Sequence, residues 1–444
     1  MLSLDNLRLR FDPAETTRQL DQYSPIFLAS LITIVLYHGF QLIQQSNGGS
    51  DIVGADIPKS LMLLNGQNPY SVQPWASPYP PLLLLTVSGI IRFTSLLTGQ
   101  TTIDPVSQNL RIVGLFADTT VGLTIYLFIR QQTKSNFQAF IPAALFLTIP
   151  ALSTSPLYFF HSDTFGYPIL AVSLAALATR RYLVGASLLA TATIFKIHPI
   201  LAVPLVLVWL TKNHGIRAAL PSITASTIIL GLGLVLPFTI PGYQTALLSF
   251  NLSNAGNGTT LQATLGTLNS ILPAQLQIPP SQYAANQIWI TATLAFFTII
   301  LGTVWTKAKT LNPIDIVLLG LLAWLIPLRI EYTHYVAWAI IPVLMRGHIK
   351  QSILLLGLLQ FADTVAYWTW WPNTSLIPNI DPVTGPILTS VIYRVLGLTA
   401  LGLVLITIRN ETSSRLSRWT RPSLFARPQS SPSLQFPRSS RSRQ

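Results

Sequence analysis

The run SPIFLASLITIVLYHGFQLIQ, residues 24–44, holds no Asp, Glu, Lys or Arg. As an α-helix it would be about 31 Å long, which matches the roughly 30 Å hydrocarbon core of a bilayer. It is longer than the apolar region of a signal peptide, and no small-residue cleavage site follows it. The run therefore predicts a retained transmembrane helix.

The rest of the composition repeats this pattern. Half of the 444 residues are hydrophobic, 9% are charged and the mean hydropathy is +0.51, which excludes an ordinary soluble domain. Apolar runs of spanning length begin near residues 24, 79, 110, 137, 164, 183, 216, 286, 312, 332, 350 and 384. The sequence predicts an all-α polytopic integral membrane protein with about 11–12 transmembrane helices.

The basic residues predict its orientation. The net charge is +13, but the bases fall in short turns and in the C-terminal tail, which fits the positive-inside rule and argues against nucleic-acid binding. We expect a cytoplasmic N-terminal segment at 1–23, a polytopic domain at 24–408 and a basic, disordered cytoplasmic tail at 409–444. Residues 44–78 and 240–285 lack Lys and Arg except Lys59, and we expect them to form the two long outward loops.

One stretch conflicts with this orientation. Two apolar runs, near 79–98 and 110–130, separate the first outward loop from the basic turn at Arg130, whereas an odd number of crossings is required. Arg92 lies inside the first run. Because a bare arginine in lipid is costly, this run is a candidate for a short or re-entrant helix.

The first outward loop carries the most distinctive pattern. Its segment DIPKSLMLLNG, residues 56–66, predicts a short surface helix with Asp56 as N-cap, Pro58 in the first turn and Gly66 as the C-terminal cap. Stiff, extended segments follow, NPYSV and PWASPYPPL. Their rings, Tyr70, Trp75 and Tyr79, suit either an interfacial belt or a sugar-binding platform.

An aspartate soon after the first helix, then GQNPY at 66–70 and YPPL at 79–82, resembles the C superfamily (GT-C) of membrane glycosyltransferases. The closer likeness is to the polyprenyl-phosphate-mannose-dependent α-mannosyltransferases of bacteria and archaea. In that family an essential acid precedes the glycine by 14 or 15 positions. Asp51 precedes Gly66 by 15 and Asp56 by 10, so the resemblance favours Asp51 as the base. The family's tyrosine four or so residues after its acid is missing here, which keeps Asp56 as the alternative.

Two further segments match the family loosely. LYFFHSDTFGYP, residues 157–168, offers His161 and Asp163 for sugar or acceptor binding, although Asp163 could simply cap a helix with Ser162. FKIHPILAVP, residues 195–204, places Lys196 and His198 in apolar surroundings, where a cation is by default a functional candidate. The resemblance implies that Lys196 holds the lipid phosphate; the alternative is a lysine that snorkels from a helix end.

A third segment is PLRIEYTHYVAW, residues 327–338. The guanidinium of Arg329 is suited to bidentate phosphate binding, and His334 is a second candidate for binding the donor phosphate. Glu331 is a candidate for sugar or acceptor binding, or simply a partner for Arg329.

The resemblance implies transfer of a sugar, mannose being the family's usual one, from a polyprenyl-phosphate donor to a hydroxyl of a lipid or glycan on the outer membrane face. One base and no evident nucleophile predict a single displacement with inversion. No cofactor is required, and a divalent metal bound by the aspartates and histidines stays open. The family setting implies a prokaryotic cell membrane with both termini cytoplasmic. A polytopic transporter and a noncatalytic lipid-binding protein are the alternative functions.

Overall fold

The chain is helical throughout the part that the computed structural model describes. The described residues are 19–44, 56–71, 80–100, 102–148, 163–245, 273–277, 286–326 and 333–347, with single residues or pairs at 269, 279, 353–354, 356–357, 395, 399, 402 and 406. No strand occurs in these ranges, which confirms the predicted all-α class.

Twelve α-helices are described in these ranges: α1 Ser24–Gln44, α2 Ile57–Leu64, α3 Pro81–Thr98, α4 Ile103–Thr133, α5 Asn136–Thr148, α6 Asp163–Ala178, α7 Tyr182–Phe195, α8 Ala202–His214, α9 Ile216–Leu230, α10 Asn286–Lys307, α11 Pro313–Leu325 and α12 Thr333–Met345. A 3₁₀ turn, His198–Leu201, separates α7 from α8, and π and 3₁₀ turns extend α9 to Thr239.

Five of these segments are long and apolar enough to cross a membrane, which agrees with an integral, multi-pass protein. They are Ser24–Gln41, Pro81–Thr98, Pro105–Thr133, Ile216–Thr239 and Ile290–Lys307. Shorter apolar helices, including α5, α6, α7 and α11, pack among them. Only scattered residues of the predicted crossings near 350 and 384, and none of the tail at 409–444, are described, so the count of 11–12 stays a prediction.

The turns that carry the basic residues lie at one end of the helix bundle, where several helix ends contact one another. Asp21, before α1, accepts hydrogen bonds from the Ser135 hydroxyl at 3.0 Å and the Phe137 amide at 2.9 Å, and so caps α5. The Trp209 indole of α8 donates to the Ala308 carbonyl after α10 at 3.0 Å. At the same end of α11 and α12, Arg346 lies 2.9 Å from Asp315. We call this the basic face and the opposite end the site face.

Helix α3 packs at the site face. Its buried side chains Leu83, Val87 and Ile91 share a cluster with Ile57 of α2 and with the first turns of α4. Helix α4 continues for 31 residues, about 46 Å, to the basic face. Arg92 is exposed on α3.

Candidate functional site

A buried ion pair joins the start of α6 to the end of α7. Lys196 Nζ lies 2.9 Å from Asp163 Oδ2, and the two side chains are 4% and 0% exposed. Oδ1 of the same carboxylate accepts a hydrogen bond from the Trp338 indole of α12 at 2.7 Å. Burying two charges is costly unless they are paired and hydrogen-bonded, and both conditions hold here.

The local sequence explains why Lys196 faces inward. Helix α7 ends at Phe195, and Lys196 takes an extended conformation with φ −146° and ψ 129°. Pro199 has no amide hydrogen to continue the α7 helix, so the chain turns through His198–Leu201 before α8 begins. The break directs Lys196 and His198 toward α6, α11 and α12.

His198 is the third polar member of this cluster. The Trp324 indole of α11 donates to His198 Nδ1 at 2.9 Å, and His198 Nε2 lies 3.6 Å from Asp163 Oδ1. The Tyr335 ring centroid lies 4.3 Å from that of His198 and 5.1 Å from Lys196 Nζ. Four helices and a turn thus supply one compact cluster, which we call the Asp163 cluster: Asp163, Lys196, His198, Trp324, Tyr335 and Trp338.

A glycine admits the largest ring of this cluster. A β-carbon added at Gly166, less than one turn after Asp163, would lie 2.3 Å from a ring carbon of Trp338. Trp338 is fully buried, and the Tyr167 ring meets it edge-on at 5.2 Å. The missing side chain therefore lets the Trp338 indole approach the Asp163 carboxylate.

The described part of the predicted first outward loop, residues 56–71, lies beside this cluster. Ile57, at the start of α2, shares a buried cluster with Phe165 and Phe195, which are close in sequence to Asp163 and Lys196. The preceding residue, Asp56, is 1% exposed. The packing therefore places one of the two predicted bases next to the elements that carry the ion pair.

The predicted N-cap role of Asp56 is wrong. Asp56 has helical backbone angles, φ −74° and ψ −39°, and its side chain makes no capping hydrogen bond. A cap requires a non-helical residue whose oxygen reaches back to the first amides. The other end of α2 confirms the prediction, because Gly66 has φ +71° and the Gln67 amide donates to the Met62 carbonyl at 2.9 Å.

Lys59 shares the environment of Asp56. Its side chain is buried, and Nζ lies 5.4 Å from the centroid of the Tyr70 ring. Burial lowers the pKa of Lys59 to about 8, and the nearby Asp56 carboxylate partly opposes that shift. The loop therefore contains a second buried amine that the sequence patterns did not single out.

The two outward loops are joined directly. The Asn68 side chain donates to the Pro241 carbonyl at 2.8 Å, and the Tyr70 and Tyr243 rings meet edge-on at 4.9 Å. Gly242 has φ +84°, and a β-carbon there would lie 2.5 Å from the Tyr70 carbonyl oxygen. Tyr70 is therefore a buried packing residue of this junction rather than an exposed platform.

The structure brings Asp163, predicted to bind the sugar or acceptor, into contact with Lys196 and His198, both predicted to bind the donor phosphate. Lys196 is buried in the ion pair and does not snorkel, and the carboxylate of Asp163 is directed to Lys196 and Trp338. Other predicted site residues lie outside the described ranges: Asp51, Trp75, Tyr79, His161, Arg329 and Glu331. The backbone of His334 is in α12, but its side chain is outside the description.

Sequence reasoning missed Arg111 and gave Asp118 no role. Both side chains are buried on one face of α4, at 3% and 1% exposure. Neither carboxylate oxygen of Asp118 has a hydrogen-bond partner among the described residues, and Asp118 contributes to the electrostatic environment of Tyr167. The sequence could have indicated both residues as candidates, because each is a charged residue inside a long apolar run.

Comparison with known proteins finds similarity among solved structures. No protein-family model matches the chain, and no curated protein matches it. A crystal structure of ArnT from Cupriavidus metallidurans bound to undecaprenyl phosphate is similar over 89% of this chain and 78% of that chain, with 12% sequence identity and a TM-score of 0.42. A TM-score below 0.5 at this identity shows no shared function.

Proposed function

We propose that this protein is a glycosyltransferase that moves a sugar, mannose in the closest sequence resemblance, from a polyprenyl-phosphate donor to a hydroxyl of a lipid or glycan acceptor. The observation that carries the proposal is the Asp163 cluster, buried at the site face beside the loop that holds Asp51 and Asp56. A buried amine and imidazole next to a carboxylate-bearing loop supply the two kinds of group that such a transfer needs.

The reaction assigns each kind of group a step. The acceptor oxygen attacks the anomeric carbon, the bond from that carbon to the phosphate oxygen breaks, and a carboxylate takes the hydroxyl proton. We assign the carboxylate to Asp51 or Asp56. Negative charge grows on the leaving polyprenyl phosphate, where fixed N–H donors stabilise the transition state. We assign those donors to Lys196 and His198, with Arg329 and His334 as further candidates.

Asp163 acts in this scheme as a positioning residue. Its carboxylate holds Lys196 Nζ at 2.9 Å and keeps that amine charged inside an apolar bundle. His161, Glu331, Trp75 and Tyr79 remain candidates for sugar or acceptor binding.

The test is transfer from labelled polyprenyl-phosphate sugars by purified protein in lipid nanodiscs. We expect the substitution that removes the base, Asp51→Asn or Asp56→Asn, to lower the rate roughly 10²- to 10⁴-fold. The matched control is Asp315→Asn, an acid-to-amide change at the basic face, which should keep the rate of folded protein within a few-fold. Full activity in both single variants and in the double variant would exclude the loop carboxylates, and no transfer from any donor would exclude the function.

Buried Asp118 favours a second candidate, an ion-coupled transporter. A carboxylate without a hydrogen-bond partner among the described residues is typical of groups that exchange protons inside membranes. A transporter would produce substrate flux into proteoliposomes that Asp118→Asn abolishes, with no transfer of labelled sugar. A glycosyltransferase would produce the opposite pair of results.

A further inference from the structure

The hydrogen bond between Trp324 and His198 fixes the protonation state of the imidazole. An indole nitrogen is only a donor, so His198 Nδ1, at 2.9 Å from it, must be the acceptor. A neutral imidazole that accepts at Nδ1 carries its hydrogen on Nε2. An imidazolium would place a second hydrogen on Nδ1, directed against the indole N–H, and would lose this hydrogen bond.

The groups around His198 agree with a neutral ring. Asp163 from α6, Lys196 at the end of α7 and Tyr335 from α12 are the titratable groups of the Asp163 cluster that face it. The Asp163 carboxylate is already paired with the Lys196 amine, so a charged His198 would add an unbalanced cation to a site where its side chain is 3% exposed.

The buried Nε2–H makes no hydrogen bond to a described residue. It lies 3.6 Å from Asp163 Oδ1, beyond hydrogen-bond distance, and Nε2 has no hydrogen-bond partner among the described residues. The adjacent Lys196 Nζ provides a charged donor at the same carboxylate. A buried donor without a partner is costly, and an anionic oxygen of a bound ligand would satisfy it.

We propose that His198 binds an anionic phosphate oxygen as a neutral Nε2–H donor, and that Trp324 is the positioning residue that holds it in this state. This inference rests on the proposed function for the identity of the phosphate, which is the phosphodiester of the lipid-linked sugar. His198 then acts neither as a cation nor as a proton-accepting base at the start of the reaction. Its contribution is a directed hydrogen bond beside the charge of Lys196.

The state of the ring can be measured without any activity. In protein labelled with ¹⁵N-histidine, the signal of His198 is identified among the six histidines by its loss in His198→Gln. We expect the shifts of a neutral Nε2–H ring from pH 8 to pH 5. In Trp324→Phe the ring loses its fixed donor, and we expect its pKa to move toward the ordinary value of about 6.5. A His198 that ionises near pH 6.5 in the unmodified protein overturns the proposal, whether or not Trp324→Phe folds.

Substitutions at His198 test its role in phosphate binding. A glutamine can offer an N–H in place of Nε2–H, whereas an arginine offers a charge. We expect His198→Gln to retain about tenfold more transfer than His198→Leu, the effect of one hydrogen bond, and His198→Arg to give no such rescue. Better rescue by arginine than by glutamine would overturn the neutral-donor role. Absence of transfer in the unmodified protein would instead count against the proposed function and leave the ¹⁵N result standing.

Discussion

Asp163 and Lys196 should show strong energetic coupling, because each is the counter-charge of the other and both side chains are buried. Asp163→Asn leaves a buried ammonium, and Lys196→Met leaves a buried carboxylate that still accepts a hydrogen bond from Trp338. Breaking a buried pair by removing one partner costs about 3–5 kcal/mol. Removing both charges also removes the unbalanced one, so the double variant should be more stable than the sum of the single losses predicts, by at least about 2 kcal/mol.

Arg346 and Asp315 provide the comparison pair. They are also 2.9 Å apart, but the Arg346 side chain is 13% exposed at the basic face. Asp315 is 4% exposed but the Arg346 guanidinium that Asp315→Asn would leave is more exposed than Lys196, so this change should cost less than Asp163→Asn. The two losses of stability, from Asp163→Asn and from Asp315→Asn, therefore compare a more buried with a less buried pair at the same distance of 2.9 Å.

The assay is unfolding of the four Asp163/Lys196 variants in one detergent or nanodisc preparation. Membrane proteins often unfold irreversibly, so the four are compared at one heating rate by the fraction that stays monodisperse and, where refolding is reversible, by denaturant titration. We expect both single variants to lose stability by several degrees and the double variant to recover part of it. Single losses that simply add, or Asp163→Asn as stable as the unmodified protein, would show that the pair is not a buried counter-charge system.

Three further predictions concern other parts of the structure. Gly242→Ala should separate the two outward loops, because its β-carbon meets the Tyr70 carbonyl at 2.5 Å; increased proteolysis of the loops would show this, and unchanged protection would contradict it. Asp118→Asn should unfold at an equal or higher temperature, because the buried carboxylate has no hydrogen-bond partner among the described residues and the amide carries no charge to desolvate; a clear loss of stability would refute this. The pKa of Lys59 is lowered to about 8, so between pH 8 and 10.5 the unfolded chain binds more protons than the folded protein. The stability of the unmodified protein relative to Lys59→Met should therefore rise with pH over that window, and a fall would contradict a lowered pKa in the folded protein.

The sequence predicted the helices well because apolar length and the placement of bases are local properties. The 24–44 run, the basic turns and the glycine that ends α2 need no knowledge of the fold. The pairing of Asp163 with Lys196 could not be read in the same way. Their contact depends on α6 and α7 running antiparallel with a break at residue 196, and no local pattern fixes that register.

Asp56 and Tyr70 are residues whose burial the sequence did not predict. Each has residue chemistry that suits an exposed role, a helix cap or an aromatic platform, and each is buried in the structure. Packing against α3 and the second outward loop overrides the local preference, because the buried apolar surface around Ile57 and Tyr243 stabilises the compact loop. The described part of this loop, residues 56–71, thus packs against the same elements that carry the ion pair.

Charge balance links these observations to the proposed chemistry. A lone lysine in this apolar surrounding would tend to lose its proton, and a neutral amine would stabilise a leaving phosphate poorly. Asp163 keeps Lys196 charged, and Trp324 keeps His198 neutral, so the cluster carries no net charge before a ligand arrives. A phosphodiester anion can then compete with Asp163 for the lysine amine while it satisfies the open Nε2–H. The donors are in place before the reaction, which is the condition for electrostatic stabilisation of the leaving group.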